Sequence, residues 1–268
     1  MSKRVLVVGD LCIDAFILCD ANRLSPEVPV PAVTPHSVRD NAGMAANVAA
    51  NIASLSLDVE VVTLFPKEPS VKTRYVDRKT NHHFLRIDQD STCQPLSIAD
   101  FCHIFNDVIR PFDVVVLSSY GKGYLNESNM EAISILCSTR GIPIYADVKD
   151  LLGDWSRNIT VVKINDVELA AHKKANIAPW KCCGTLLVTK GADGIDAYHS
   201  NSNVLIHSPS VNVPVTDSAG CGDSTLAGLV VAYLEGKEIH EAMAFANKVG
   251  AVAVSKPGVV AVKRGEVT

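Results

Sequence analysis

Six short, β-branched apolar runs, at residues 5–8, 59–64, 114–117, 142–145, 160–164 and 185–189, constrain this chain more than any other feature. Unbroken apolar runs of that length suit strands covered on both faces, the pattern of a parallel sheet flanked by crossover helices. Helix-like segments lie between and after them, at residues 45–55, 98–109, 129–139, 167–174, 223–234 and 239–254, the last two forming a C-terminal pair. The alternation predicts an α/β fold: a three-layer α/β/α sandwich around a mostly parallel central sheet. Two stretches break it. Residues 20–40 are rich in proline, and residues 71–87 read as two strands around a polar turn. In the second, Lys72, Arg74, Arg86 and Asp88 alternate with apolar positions, as in strands with one wet face. Both stretches are expected to build a small β lid, over residues 12–40 and 71–88, on a single domain spanning residues 1–268.

A net charge of −4 and an apolar share of 47% lack the basic excess of a nucleic-acid binder. The apolar opening is interrupted by Asp10 and Asp14 and followed by no signal-like cleavage site, and no run approaches the roughly 18 apolar residues of a membrane span. The expectation is a soluble cytoplasmic protein without nucleic-acid or membrane partners. The eight cysteines show no Cys-x-x-Cys pair or Cys/His spacing suited to zinc and are expected to be reduced. His82 and His83, adjacent on a strand, face opposite sides and read as surface residues rather than metal ligands.

The sharpest local signal is Thr216-Asp217-Ser218-Ala219-Gly220-Cys221-Gly222-Asp223-Ser224, which leads directly into an apolar run. The glycines let the amides of Ala219, Gly220, Cys221 and Gly222 converge on an anion, and the helix start adds positive potential. Phosphoryl transfer needs such a cradle, together with a carboxylate that accepts the attacking hydroxyl's proton; Asp223 is the candidate. The same residues also fit a plain glycine turn with an aspartate in the first helical turn, worth under about 1 kcal/mol.

The run from Asp217 to Ser224 resembles the D-T-x-G-A-G-D-[ST] signature of ribokinase-like carbohydrate kinases, whose last aspartate is the catalytic base. Gly9-Asp10 and Asp14, and then Ala42 to Ala49, are similar to the family's amino-terminal sugar-side motifs. Asn165-Asp166-Val167-Glu168 resembles its N-x-x-E, which holds magnesium-bound water, and Thr189-Lys190-Gly191-Ala192-Asp193-Gly194 resembles its nucleotide-side turn. Further segments, among them Leu85 to Asp88, Ser118 to Gly123, Ala146 to Lys149 and Phe245 to Asn247, look like the kinase domain of bacterial enzymes that phosphorylate D-glycero-D-manno-heptose 7-phosphate at O1.

The resemblance implies that Asp14, Gly43 and Asn47 hold sugar hydroxyls and that Arg86, Lys122 and Lys149 are cations for a substrate phosphate. It puts Asn165, Asp166, Val167, Glu168, Lys190, Gly191 and Asn247 on the ATP side, with Mg2+ near Asn165 and Glu168 through water, and leaves a monovalent-cation requirement open. Read singly, Asp14 also fits a turn cap, Asn47 an interior helix amide, the lysines solvated surface, and Asn165 with Glu168 a helix cap and its partner. The implied function is ATP-dependent phosphorylation of a sugar or sugar phosphate by a homodimer joined through the lid. The alternatives are another sugar or nucleoside as acceptor, and a catalytically weak sugar-phosphate-binding protein.

Three departures bear on the pocket. Met44 stands where the second glycine of a pair is expected, Ser119 replaces an acidic residue, and only a few residues separate Pro66 from Val71 where the related kinases have a helix and a strand, roughly two dozen residues. The sequence ends at Thr268 without the nucleotidyltransferase domain often fused to such kinases, so that step is expected to need another protein.

Overall fold

The computed structural model describes residues 2–56, 58–91, 93–106, 111–199 and 205–267. The apolar runs form β1 (Lys3–Gly9), β4 (Val59–Leu64), β7 (Val114–Ser118), β8 (Ile144–Asp147), β9 (Val161–Asn165) and β10 (Thr185–Thr189). Together with β11 (Ile195–His199) and β12 (Leu205–Ser208) they make one eight-stranded sheet, ordered β12-β11-β10-β9-β8-β7-β1-β4. The first six strands named pair in parallel, whereas β11 and β12 add antiparallel. Burial on both faces explains the continuous apolar runs of the inner strands: β7 is buried at all five positions, whereas β4, at the sheet edge, has no buried position and is not covered on both faces as its apolar run suggests.

One face of this sheet is covered by α1 (Ala45–Leu55), α5 (Cys221–Leu234) and α6 (Ile239–Val254). The other carries α2 (Ile98–Asn106), α3 (Glu127–Thr139) and α4 (Asp166–Lys174). The expected end of α2, residues 107–109, lies outside the described residues. Helix α5 is buried at every position from Asp223 to Ala232, so it lacks the polar stripe of a surface helix. Gly228 lets α6 approach it: a Cβ there would stand 3.0 Å from Cα of Ala246.

The two irregular stretches form a second sheet of four strands, ordered β3-β2-β5-β6, from β2 (Leu11–Leu24), β3 (Pro31–Met44), β5 (Ser70–Asp77) and β6 (His83–Gln89). The lid is thus longer than its proline content suggests, running over residues 11–44 and 70–89. Its prolines sit where the ladder is weak: Pro31 at a strand start and Pro35 beside a register shift. All eight cysteines are unbridged, and His82 and His83 are exposed. No helix among the described residues is long and apolar enough to cross a membrane.

Candidate active site

The carboxyl ends of the parallel strands carry Asp10, Ser119, Tyr120, Asp147, Asn165 and Thr189 on one edge of the large sheet, the place where open α/β sheets bind ligands. Asp223, in the first turn of α5, is buried at 2% exposure against this edge. Its Oδ1 accepts a hydrogen bond from the Tyr120 hydroxyl at 2.5 Å, and its Oδ2 accepts one from Asn47 Nδ2 at 3.0 Å. Burial pushes the Asp223 carboxyl up to about 6, against the two hydrogen bonds that favour its charged form.

Both donors are held in place. Asn47 Nδ2 also reaches the Gly220 carbonyl at 3.3 Å, and Asn51 Nδ2 donates to Asn47 Oδ1 at 2.9 Å. Asn51 Oδ1 in turn accepts from the Val262 amide at 2.9 Å. The Tyr120 loop is fastened by buried Asp10, whose Oδ2 accepts from the Tyr120 and Lys122 amides at 2.6 and 3.2 Å. The sequence alone marks none of Tyr120, Asn51, Lys163 and Arg74 as a site residue, and Arg74 there reads as part of a wet lid face. Tyr120 lies inside the segment Ser118 to Gly123, but only the fold brings its hydroxyl to Asp223.

The glycine turn before α5 has a strict geometry. Gly220 has φ +75°, and a Cβ on it would stand 2.7 Å from Asn47 Nδ2, so glycine is required twice over. Two of the four amides expected to cradle an anion are already committed. The Ala219 amide donates to Asp217 Oδ1 at 2.9 Å and the Cys221 amide to the Ser218 carbonyl at 3.3 Å. Those of Gly220 and Gly222 donate to no loop or side-chain acceptor among the described residues. Asp217 Oδ2 accepts from the Gly258 amide at 2.9 Å and so joins the turn to the C-terminal segment.

Beside the turn opens a cleft of about 550 Å³. Tyr120, Asp147, Lys149, Lys163 and Asn165 line its polar end, and Val211, Val213, Val215, Ala251 and Val254 line an apolar wall. That size and division suit a nucleotide, with phosphates toward the glycine turn and base against the valines. Thr189, Gly191 and Asn247 line it as well. Asn247 Nδ2 donates to the Ser208 and Pro209 carbonyls at 3.0 and 3.1 Å, holding the segment that leads to the apolar wall.

Other ATP-side candidates lie differently. Asp166 and Val167 are exposed on the first turn of α4, outside the lining, and the Lys190 ammonium is tied to Asp196. Asn165 caps α4 with Glu168 as its partner: Asn165 Oδ1 accepts the Glu168 amide and Glu168 Oε2 accepts the Asn165 amide, both at 2.8 Å. The capping alternative therefore holds, alongside a place for Asn165 in the cleft lining.

Lys149 also moves from its expected place. It pairs with Glu168 and lines the nucleotide cleft, rather than standing apart as a substrate-phosphate cation. Lys163 and Asp147 form a buried pair at 2.7 Å, and Gly222 packs over it, its Cβ position 3.3 Å from Lys163 Nζ. Despite burial, Lys163 and Lys149 hold the Asp147 carboxyl below its usual range. Asp147 Oδ1 is buried without a hydrogen bond, and Lys149 approaches it only to 3.6 Å. Asp147 lines the polar end of the cleft and Glu168 stands outside that lining, with the Lys149 ammonium between them; the orphaned Asp147 oxygen fits Mg2+, which keeps several waters and needs only one or two carboxylates plus phosphate oxygens.

On the lid side, Asp14 is buried and ion-paired with Arg74, which is itself buried. Gly43 makes room for that carboxylate, since a Cβ there would stand 2.2 Å from Asp14 Oδ2. The row expected to face water instead faces the site at Arg74, because the lid folds over the first strand ends. Arg86 pairs with Asp88 at 2.7 Å and Lys122 with Asp90 at 2.6 Å, so neither carries an uncommitted charge. Met44, at the N-terminus of α1, is buried with φ 56° and ψ −133°, a conformation suited to glycine.

Solved structures share this architecture. Ribokinase of Arabidopsis thaliana, complexed with ribose and ATP, superposes with a TM-score of 0.72 at 18% identity, covering 100% of this chain and 98% of that one. Phosphofructokinase-2 of Escherichia coli, in complex with substrates and products, gives 0.72 at 14% identity, covering 100% and 97%. Among curated proteins, the bifunctional protein HldE of Azorhizobium caulinodans is 30% identical over 304 aligned positions, covering 98% of this chain and 63% of that protein. HldE of Pseudomonas savastanoi pv. phaseolicola is likewise 30% identical, with 98% and 62% covered. The chain thus spans about 63% of the length of these relatives. Residues 2–264 match the family described as pfkB family carbohydrate kinase, and the chain belongs to that family.

Proposed function

We propose that the protein transfers the γ-phosphoryl group of Mg-ATP to a hydroxyl of a sugar or sugar phosphate, with O1 of D-glycero-D-manno-heptose 7-phosphate as the acceptor. The observation that carries the reading is Asp223: a buried carboxylate raised to about 6, beside a glycine turn with free amides and a cleft of nucleotide size. A base poised near neutrality accepts a proton without being protonated beforehand.

The acceptor O–H gives its proton to Asp223 as its oxygen bonds to the γ-phosphorus. The bond from that phosphorus to the bridging oxygen breaks, and ADP leaves with the electron pair. The Gly220 and Gly222 amides and the start of α5 stabilise the charge on the group in transfer. Asp147 and Glu168 would hold Mg2+, with Asn165 nearby, and the ion would neutralise phosphate charge. Asp14, fixed by Arg74 and Gly43, would receive acceptor hydroxyls. The heptose acceptor is supported by the motif similarity along the chain and by the HldE relatives. Another sugar or a nucleoside is the second reading, favoured by Met44, which puts a buried side chain in a turn beside Gly43.

The test is ADP release from Mg-ATP with a panel of sugars and sugar phosphates that includes heptose 7-phosphate. Replacement of Asp223 by Asn should lower kcat by about 10²- to 10⁴-fold while ATP binding persists. Full activity in that variant would overturn the assignment, and the absence of turnover on every acceptor would favour the binding-protein reading.

A further inference from the structure

We infer that Lys72 is the side chain that receives an anionic group of the acceptor, and that the site is accordingly built for a negatively charged sugar. The inference rests on the proposed kinase reading and names the acceptor class of the same site.

The argument starts from the register of the lid. Lys72 on β5 stands between two carboxylates, opposite Asp14 on β2 and opposite Asp88 on β6. Directly opposed residues share a face and are the natural partners across a sheet. Neither carboxylate takes Lys72. Asp14 is paired with Arg74 and Asp88 with Arg86, the residues two places along in the adjoining row. Across the facing rows of β2, β5 and β6, three cations therefore meet two carboxylates, and the unmatched charge falls on Lys72. Among the described residues, no carboxylate lies within ion-pair distance of it.

Its position is not that of a solvated lysine. Lys72 is half-buried, and its Nζ sits 5.6 Å from the centroid of the Tyr120 ring, whose hydroxyl is bonded to Asp223. One tyrosine ring thus separates an uncommitted ammonium from the base. The other cations near the base are all engaged: Lys163 with Asp147, Lys149 with Glu168, and Lys122 with Asp90. An acceptor with its hydroxyl at Asp223 and an anionic group toward the lid would supply the partner that the sheet withholds. A half-buried ammonium without a counter-ion is costly, and a bound phosphate or carboxylate removes that cost.

The test measures binding and turnover separately on the full chain. Calorimetry without ATP would use heptose 7-phosphate and fructose 6-phosphate as phosphate probes, gluconate as a carboxylate probe, and heptose, fructose and glucose as their neutral counterparts. KM and kcat would be read on the same compounds with Mg-ATP. In the Lys72→Met variant, affinity for the preferred anionic probe should fall about 10- to 100-fold, at least tenfold more than affinity for its neutral counterpart. Lys72→Arg should recover most of the loss, and thermal melting would show that both variants are folded. Arg39, exposed and stacked on Phe16 in the neighbouring row, is the control for a general field, and Arg39→Ala should have a much smaller effect.

Equal affinity of parent and Lys72→Met for every anionic probe, equal losses on anionic and neutral sugars, or equal losses in the Arg39 variant would overturn the inference. So would failure of the parent to bind any anionic probe. Turnover of a neutral sugar alone would keep the kinase reading and sink this one. Lys72-dependent binding without turnover on any acceptor would do the reverse.

Discussion

The Tyr120 hydroxyl donates to Asp223 Oδ1 across 2.5 Å, so the residue read as the catalytic base holds a phenol where an acceptor hydroxyl would deliver its proton. Asn47 occupies the other oxygen. Asn47 is anchored by Asn51 and Gly220, whereas Tyr120 is anchored through its backbone by Asp10, which leaves its ring the more readily displaced donor.

Tyr120→Phe removes a hydrogen bond that favours the charged carboxylate. The Asp223 pKa should then rise above its present value of about 6, and the acid limb of the kcat/KM profile should move to higher pH by about one unit. A profile that stays in place would show that the phenol does not tune the base.

Burial of Asp223 also makes a prediction about stability. Its folded-state pKa, raised from 3.8 to about 6, means that the folded protein binds the proton more tightly than the unfolded chain does. This group therefore costs nothing below about pH 4, and its penalty grows until the carboxyl is ionised above about pH 6. Between those limits, the stability of Asp223→Asn relative to the parent should increase by about 2–3 kcal/mol. Denaturant titrations at pH 4 and pH 7 measure that difference, and a pH-independent difference would refute it.

Met44 combines a buried side chain with a backbone suited to glycine. Truncation to Ala loses the packing and keeps the strain, whereas Met44→Gly loses the same packing and relieves about 1–3 kcal/mol of strain. The Gly variant should be more stable than the Ala variant by about 1 kcal/mol or more, a larger gap than the few tenths to about 1 kcal/mol by which glycine outranks alanine at an ordinary helix N-cap. Urea unfolding of the pair decides it.

A homodimer through the lid is expected because β3 and β6 are free edges that leave apolar side chains in solvent. Val38 is 63% exposed, Leu85 53% and Ile87 40%. Light scattering should return twice the chain mass, and Val38→Asp should shift it toward the monomer. A parent protein at the monomer mass would remove this part of the reading.

Much of this was legible along the chain because it depends on local pattern. Five strands buried on both faces betray themselves as continuous apolar runs, and α5 as an apolar run behind paired glycines, since burial on all sides favours apolar residues wherever the site does not need polar ones. Gly220 and Asp223 could be singled out because a tight turn and a helix start each have their own residue chemistry. What the sequence could not decide was which charges cancel. Asp14 with Arg74, Asp147 with Lys163 and Lys149 with Glu168 are separated by 60, 16 and 19 residues, and each pairing depends on strand register or on loops meeting at the sheet edge. A cation's sequence neighbours do not show whether a distant carboxylate has already claimed it. That is why Arg86, Lys122 and Lys149 looked available, why Lys72 read only as part of a wet lid face and Tyr120 as part of a loop, and why only the tertiary structure could place the uncommitted charge beside the base.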